Sequence, residues 1–240
     1  MPSQIIASEP NAELRDVWQS ETGIAVTADN LEVASAASVI LIGVKPGVVL
    51  PVIEGAAAAL AGKLVISLAA GTRLASMEAV SSARFMRVMT NIPSALGAGA
   101  SALARGSRTT EEDVEQVRAM FGAIGVCVEV PEDQIDAVTA LAGSGPAFVY
   151  SVIEALAKGG EQEGLAPDNA LALATYTVLG AARYAATSNA TPEELRRMVI
   201  TPGGTTAAGL AAMEKLRTAE SLVAAVQAAA ARGREMAVTS

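Results

Sequence analysis

The sequence predicts an α/β domain with a mostly parallel sheet over residues 1–131, followed by an all-helical domain over 132–240. Three observations carry this. Short β-branched runs alternate with helical stretches as far as Pro131, the pattern of strands joined by crossover helices. No convincing strand follows Pro131. The composition is 51% apolar but only 3% aromatic, which fills a core with aliphatic side chains and alanine and favours closely packed helices over a β-sandwich.

In chain order, Gln4 to Ser8 reads as a strand and Asn11 to Glu21 as a helix. Ile24 to Thr27 is a short strand followed by the polar loop Ala28-Asp29-Asn30. The unbroken apolar run Val39 to Val44 reads as a buried strand, stopped at Lys45-Pro46-Gly47. Val48 to Leu60 is helical and Lys63 to Ser67 is a strand ending at Ala69-Ala70-Gly71. Leu74 to Val80 is a helix and Ala83 to Met89 a strand. A threonine at 109 or 110, with acids after it, caps a helix reaching Phe121. Gly125 to Val130 is the last strand. Beyond it, helices are expected over 133–142, 145–163, 167–188, 191–199, 206–214 and 219–236, separated by Gly143, Gly164 and Thr201-Pro202-Gly203-Gly204.

The net charge of −8 argues against a nucleic-acid partner, which needs a basic surface to neutralise phosphates. A small-molecule ligand is the expectation. The single cysteine, Cys127, leaves no internal disulfide to form and fits a reducing cytoplasm. The opening residues MPSQIIASEPNAELRD lack the basic-then-apolar pattern of a signal peptide. No stretch matches the unbroken apolar run of about 18 residues that a membrane span needs. The chain has no histidine, so imidazole catalysis and histidine metal sites are excluded, and no metal is expected.

Two segments could carry chemistry. In Ala142-Gly143-Ser144-Gly145-Pro146, two glycines allow a tight turn, Ser144 suits a helix N-cap and Pro146 suits the first helical turn. Exposed N–H groups at a helix N-terminus would form an anion site able to take a small carboxylate. Thr139, just upstream, could offer a hydroxyl. An ordinary helix–turn–helix with a good cap explains the same residues. Thr201-Pro202-Gly203-Gly204-Thr205-Thr206 is a second turn into a helix, with Thr205 a plausible cap, and reads equally as a connector. In the first half, strands end at Ser8-Glu9-Pro10, Val44-Lys45-Pro46, Ala69-Ala70-Gly71 and Arg87 to Asn91. Loops at such places bind dinucleotides in doubly wound sheets. Glu9 directly follows a strand, where an acid can bind ribose hydroxyls; it can also be a surface charge, and Lys45 a solvated loop lysine.

Taken in order, these segments resemble the pyrroline-5-carboxylate reductase family. The carriers are Val44-Lys45-Pro46, Ala69-Ala70-Gly71, the run Arg87 to Pro93, Ile135 to Thr139, Gly143 to Phe148, Val178 to Ala182 and Pro202 to Thr206. The resemblance implies an N-terminal Rossmann-type domain and an all-α dimerisation domain that forms a homodimer or higher homo-oligomer. It implies reduction of 1-pyrroline-5-carboxylate to L-proline with NADPH or NADH. It places the substrate carboxylate on backbone N–H groups of Ala142, Gly143, Ser144 and Gly145, and Thr139 near the ring nitrogen. It maps dinucleotide contacts to Ser8, Asn30, Val44, Lys45, Ala69, Ala70 and Asn91. The resemblance begins at what matches the family's second strand. About 25–30 residues of the family pattern, a strand and Gly-rich turn of a βαβ unit, have no counterpart. Two expectations follow: the strands at Gln4–Ser8 and Val39–Val44 lack a common neighbour, each leaving an unpaired edge, and dinucleotide binding is weak or absent. Ala142 stands where the family usually has serine, Ile92 where it has threonine, Ala98 where it has glutamate and Phe148 where it has tyrosine. A catalytically inactive, dimeric binding protein is the alternative. A hydroxyacid or 6-phosphogluconate type of dehydrogenase lacks its expected helix lysine here.

Overall fold

The computed structural model describes residues 1–238. The chain divides into two compact units, one of Met1–Gly143 with the chain from Ala229 onward, the other of Ser144–Ala228.

In the first unit, strands and helices alternate: β1 (Ile6–Ser8), α1 (Ala12–Thr22), β2 (Ala25–Thr27), α2 (Asn30–Ala36), β3 (Val39–Ile42), α3 (Val49–Gly55), α4 (Ala57–Leu60), β4 (Leu64–Ser67), α5 (Leu74–Val80), β5 (Arg84–Met89), β6 (Gly99–Arg105), α6 (Glu111–Gly122) and β7 (Gly125–Glu129). The caps explain the boundaries. Asn11 stays extended and its side chain accepts the N–H groups of Glu13 and Leu14, so α1 starts after it; Gly23, at φ 70°, ends it. Thr110 and Asp113 form a reciprocal capping box at the start of α6.

The β-layer is in two parts among the described residues. β1 and β2 form a parallel ribbon, while β3-β4-β5-β6-β7 form a five-stranded sheet, parallel throughout except for the β5–β6 pair. β1 pairs only with β2, and β3 only with β4, as expected for strands lacking a common neighbour. Alternation along the strands loads both faces of the larger sheet. Val65 and Phe85 point into a cluster with Ile53, Leu60 and Met77 of the helices on one side. Leu64, Ile66, Met86 and Val88 meet Val114, Val117 and Phe121 of α6 on the other. The β1–β2 ribbon has no fully buried residue.

Several sequence expectations are corrected. The polar loop Ala28-Asp29-Asn30 is the start of a helix: Asp29 accepts the Leu31 N–H and caps α2. The single helix expected over Val48–Leu60 is two short ones, broken at Ala56 (φ −115°, ψ 8°). The unexpected strand is β6, whose sequence GASALAR has weak strand propensity. It holds because β5 and β7 flank it on both sides, and because glycine alone fits at its start, where a Cβ on Gly99 would lie 2.8 Å from Ser94 Cβ and 2.9 Å from the Ile124 carbonyl oxygen.

After β7 a short 3₁₀ turn (Glu132–Gln134) leads into α7 (Ile135–Val138) and a π-helical turn (Thr139–Gly143). The second unit begins with α8 (Gly145–Gln162) and continues with α9 (Pro167–Thr187), α10 (Pro192–Val199), α11 (Thr205–Lys215) and the first part of α12 (Thr218–Val238). Its centre is a small-residue contact between α8 and α9: Ala157, Ala170 and Ala174 are buried. A Cβ on Gly160 would press to 3.1 Å of Leu165. The helical run Glu132–Gln162, with mean hydropathy 1.3, is long and apolar enough to cross a membrane by length and composition. That corrects the expectation of no such stretch, which counted only unbroken apolar runs. Large apolar side chains remain exposed on the second unit, among them Leu173, Tyr176, Leu179, Met198 and Leu216.

Candidate functional site

The parallel strands of the first unit place their carboxyl ends, and the loops after them, where a doubly wound sheet binds ligands. Val44 and Lys45 follow β3, Ala69 and Ala70 follow β4, and Asn91 follows β5. A cleft of about 160 Å³ lies at the β3 and β4 ends, lined by Pro46, Gly47, Gly71, Thr72 and Arg73 among others. Ser8, at the end of β1, and Asn30, the first residue of α2, are joined to each other: the Ser8 hydroxyl donates to Asn30 Oδ1 at 2.6 Å. Glu9, at the end of β1, is fixed by accepting the Asn11 N–H at 2.9 Å. The Arg15 guanidinium donates to the Glu9 and Pro10 carbonyls, 2.8 Å each.

Asn91 is engaged at both ends of its amide. Oδ1 accepts the Ala100 N–H at 3.0 Å and Nδ2 donates to the Ala142 carbonyl at 3.1 Å. The family resemblance implied a cofactor role for Asn91 and a substrate role for Ala142; the structure brings the two into direct contact.

The turn itself differs from its sequence reading. Thr139–Gly143 is a π-helical turn, a widening of the helix that recurs at functional sites. Ser144 has helical dihedrals (φ −84°, ψ −24°) and makes no side-chain cap bond. Neither Gly143 nor Gly145 has a positive φ, so the glycines are not there for a tight turn. A Cβ on Gly143 would meet only Met89 Sδ and Thr139 Cγ2, both at a comfortable 3.7 Å. Pro146 does stand in the first turn of α8. The Thr139 hydroxyl donates to the Ile135 carbonyl at 2.9 Å, so toward a ligand its oxygen can only accept in this rotamer. In the second candidate segment Gly204, not Thr205, is the N-cap of α11, and Gly203 takes φ 70°.

Sequence reasoning missed one group. Arg87 is 1% exposed within β5 and pairs with Glu132 at 3.0 Å; Arg73 pairs with Asp136 at 3.3 Å. An arginine inside the apolar run Ala83–Met89 was the available signal.

Residues 132–236 match the family model for pyrroline-5-carboxylate reductase dimerisation, and residues 2–71 match that for NADP oxidoreductase, coenzyme F420-dependent. The pyrroline-5-carboxylate reductase of Pisum sativum is 42% identical over 98% of this chain and 86% of its own length. That of Synechocystis is 39% identical over 98% and 88%. Among solved structures, the Coxiella burnetii enzyme has a TM-score of 0.93 at 33% identity, covering 98% of this chain and 89% of that one. The Plasmodium falciparum enzyme with NADP bound has a TM-score of 0.86 at 27% identity, covering 99% and 88%. The first half is therefore a Rossmann-like domain and the second a helical dimerisation domain. With such identity over nearly the whole chain, it belongs to the pyrroline-5-carboxylate reductase family.

Proposed function

We propose that the turn Ala142-Gly143-Ser144-Gly145 takes the carboxylate of the substrate and that the strand-end loops take the dinucleotide, with the domain boundary at Pro131. The chain is an NAD(P)H-dependent oxidoreductase that reduces 1-pyrroline-5-carboxylate to L-proline. The cofactor, when bound, supplies a hydride to the carbon of the ring C=N bond, and the nitrogen keeps or gains a proton as the ring becomes saturated. The residues have the remaining work of binding and orientation, since a protonated C=N bond is already electrophilic. In this reading Ala142 to Gly145 hold the carboxylate through backbone N–H groups and the Thr139 oxygen accepts from the ring N–H. Ser8, Asn30, Val44, Lys45, Ala69, Ala70 and Asn91 contact the dinucleotide. The small side chains at 69 and 70 leave room for a bulky ligand against the backbone, and Lys45, exposed after β3, can meet a phosphate.

The observation that supports this most is the Asn91–Ala142 hydrogen bond. It places the loop after β5 and the proposed carboxylate turn within one hydrogen bond of each other, as hydride transfer between two ligands requires. The fixed carboxylate of Glu9 beside the β1 end favours a ribose with a free 2′-hydroxyl, so NADH is preferred over NADPH. A homodimer covers the exposed apolar residues of α9, α10 and α11. The acidic charge and the small-molecule chemistry support a cytoplasmic enzyme that works without nucleic acid or membrane.

Gly143→Asp tests the site. Residue 143 is exposed and a side chain fits there, so the fold should tolerate the change while the new charge repels a carboxylate. The KM for 1-pyrroline-5-carboxylate should rise about tenfold or more, as expected for a like charge near a bound anion, while Gly143→Ala stays near the parent. An unchanged KM in Gly143→Asp sinks the assignment.

A further inference from the structure

Arg87 occupies the middle of β5, between Ser67 of β4 and Ala104 of β6 in the sheet register. It is the bulkiest of the fully buried side chains. Its Nη1 donates to Glu132 Oε1 at 3.0 Å, while Nε and Nη2 are buried with no partner among the described residues. A buried guanidinium so incompletely paired is a poor way to stabilise a core, because desolvation outweighs what one carboxylate returns. An apolar residue of the same size would serve stability at least as well.

Its partner does something more specific. The same Glu132 oxygen accepts the Leu74 N–H at 2.6 Å, so one carboxylate joins β5 to the first residue of α5. Glu132 also opens the segment that runs through α7 to the π-helical turn at Thr139–Gly143. One helical turn further on, Asp136 is buried and pairs with Arg73, the residue just before α5. The far end of the segment is tied by Asn91 to Ala142. Four polar contacts, at positions 132, 136 and 142, thus hold one stretch of chain in place, and only the contact at Arg87 is charged and walled off from water on the arginine side. Glu132 cannot move away without stranding that charge.

We propose that Arg87 is a positioning residue: through Glu132 it fixes segment 132–143, and so the carboxylate turn, relative to the loops bearing Ala69, Ala70 and Asn91. This rests on the reading of Ala142 to Gly145 as the carboxylate site. Arg87 itself touches neither ligand. Its effect is on the distance between them, where small displacements are expensive in rate.

The test replaces the pair by apolar residues of similar size, Arg87→Met with Glu132→Leu, beside Arg87→Lys. The double variant should melt only slightly below the parent, because a buried ion pair exchanged for packed apolar groups costs little stability and the Leu74 N–H that loses its acceptor costs one hydrogen bond. It should nonetheless lose about tenfold or more in kcat/KM for 1-pyrroline-5-carboxylate, with the KM for the nicotinamide cofactor unmoved. Calorimetric titration with L-proline, which needs no turnover, should show the same weakening. Arg87→Lys, which keeps a cation opposite Glu132, should recover most of the loss. A double variant with parental kinetics and parental L-proline affinity overturns the role, as does activity that merely follows the melting temperature across the series. Gly143→Asp is run alongside. If it impairs binding while the double variant does not, only the positioning role fails; if it leaves KM unchanged, or the parent binds no L-proline, the carboxylate-site reading fails and takes this role with it.

Discussion

Asn91 and Ala142 stand 51 positions apart and meet through a single 3.1 Å hydrogen bond from the Asn91 amide nitrogen to the Ala142 carbonyl. The other end of the amide is held by the Ala100 N–H, so the side chain cannot flip without losing both bonds. Asn91→Asp puts an acceptor where the donor stood and turns attraction into repulsion at Ala142. The expected cost is about 1–2 kcal/mol of stability and about a tenfold fall in kcat/KM for the pyrroline substrate. Steady-state kinetics with a parallel melting curve checks both; parental values would show the tie to be idle.

Asp113 gives the fold a dependence on acid. The Arg84 guanidinium grips both its oxygens, at 2.8 and 2.9 Å, and with help from Thr110 holds the carboxyl well below the usual range, at about 2. The pKa is depressed in the folded state, so the stabilisation is complete above the unfolded value near 4 and disappears as pH falls toward 2. Because Arg84 is partly exposed, about 1–2 kcal/mol is expected rather than the full linkage value. Chemical denaturation between pH 6 and pH 2.5 should show that loss in the parent and much less of it in Asp113→Asn, which should already be weaker at neutral pH.

Glu9 should govern the choice of cofactor. Its carboxylate is pinned by the Asn11 N–H at the end of β1, and the Arg15 guanidinium lies close by on the Glu9 and Pro10 carbonyls. Removing the acid in Glu9→Ser leaves a hydroxyl and an arginine, a pairing suited to a 2′-phosphate. The ratio of kcat/KM for NADPH over NADH should rise about tenfold, as for gain of a charge-assisted contact. An unchanged ratio would place the ribose elsewhere.

Gly125 is the residue the α/β unit can least spare. Its φ is +150°, and a Cβ there would sit 2.0 Å from the Gly99 carbonyl oxygen, backbone against backbone. Gly125→Ala should cost about 3 kcal/mol or more by prising β7 from β6, measurable as a drop in melting temperature. A variant that melts like the parent would mean that β7 pairs differently.

Much of this was legible in the sequence because it is local. The alternation of Ile6–Ser8, Val39–Ile42 and Leu64–Ser67 with helical stretches gave the layer order, and a threonine at 109 or 110 followed by acids marked a helix start, which the structure puts at Thr110. β6 was not legible, because Gly99-Ala-Ser-Ala-Leu-Ala-Arg becomes a strand only through neighbours on both sides. The π-helical turn was not legible either: Gly143 and Gly145 suggested a tight turn, whereas the backbone there stays helical and merely widens. Arg87 with Glu132, 45 residues apart, and Asn91 with Ala142 belong to the same class. Their meeting is a property of the packed unit, and no spacing rule announces it.

The two-part β-layer has a practical consequence for handling the protein. The β1–β2 ribbon and α1 contribute no buried residue, while β4 and β5 are almost entirely enclosed. Amide protons in the first 27 residues should therefore exchange with solvent long before those of β4 and β5, and a protease should cut near Arg15 while the larger sheet survives.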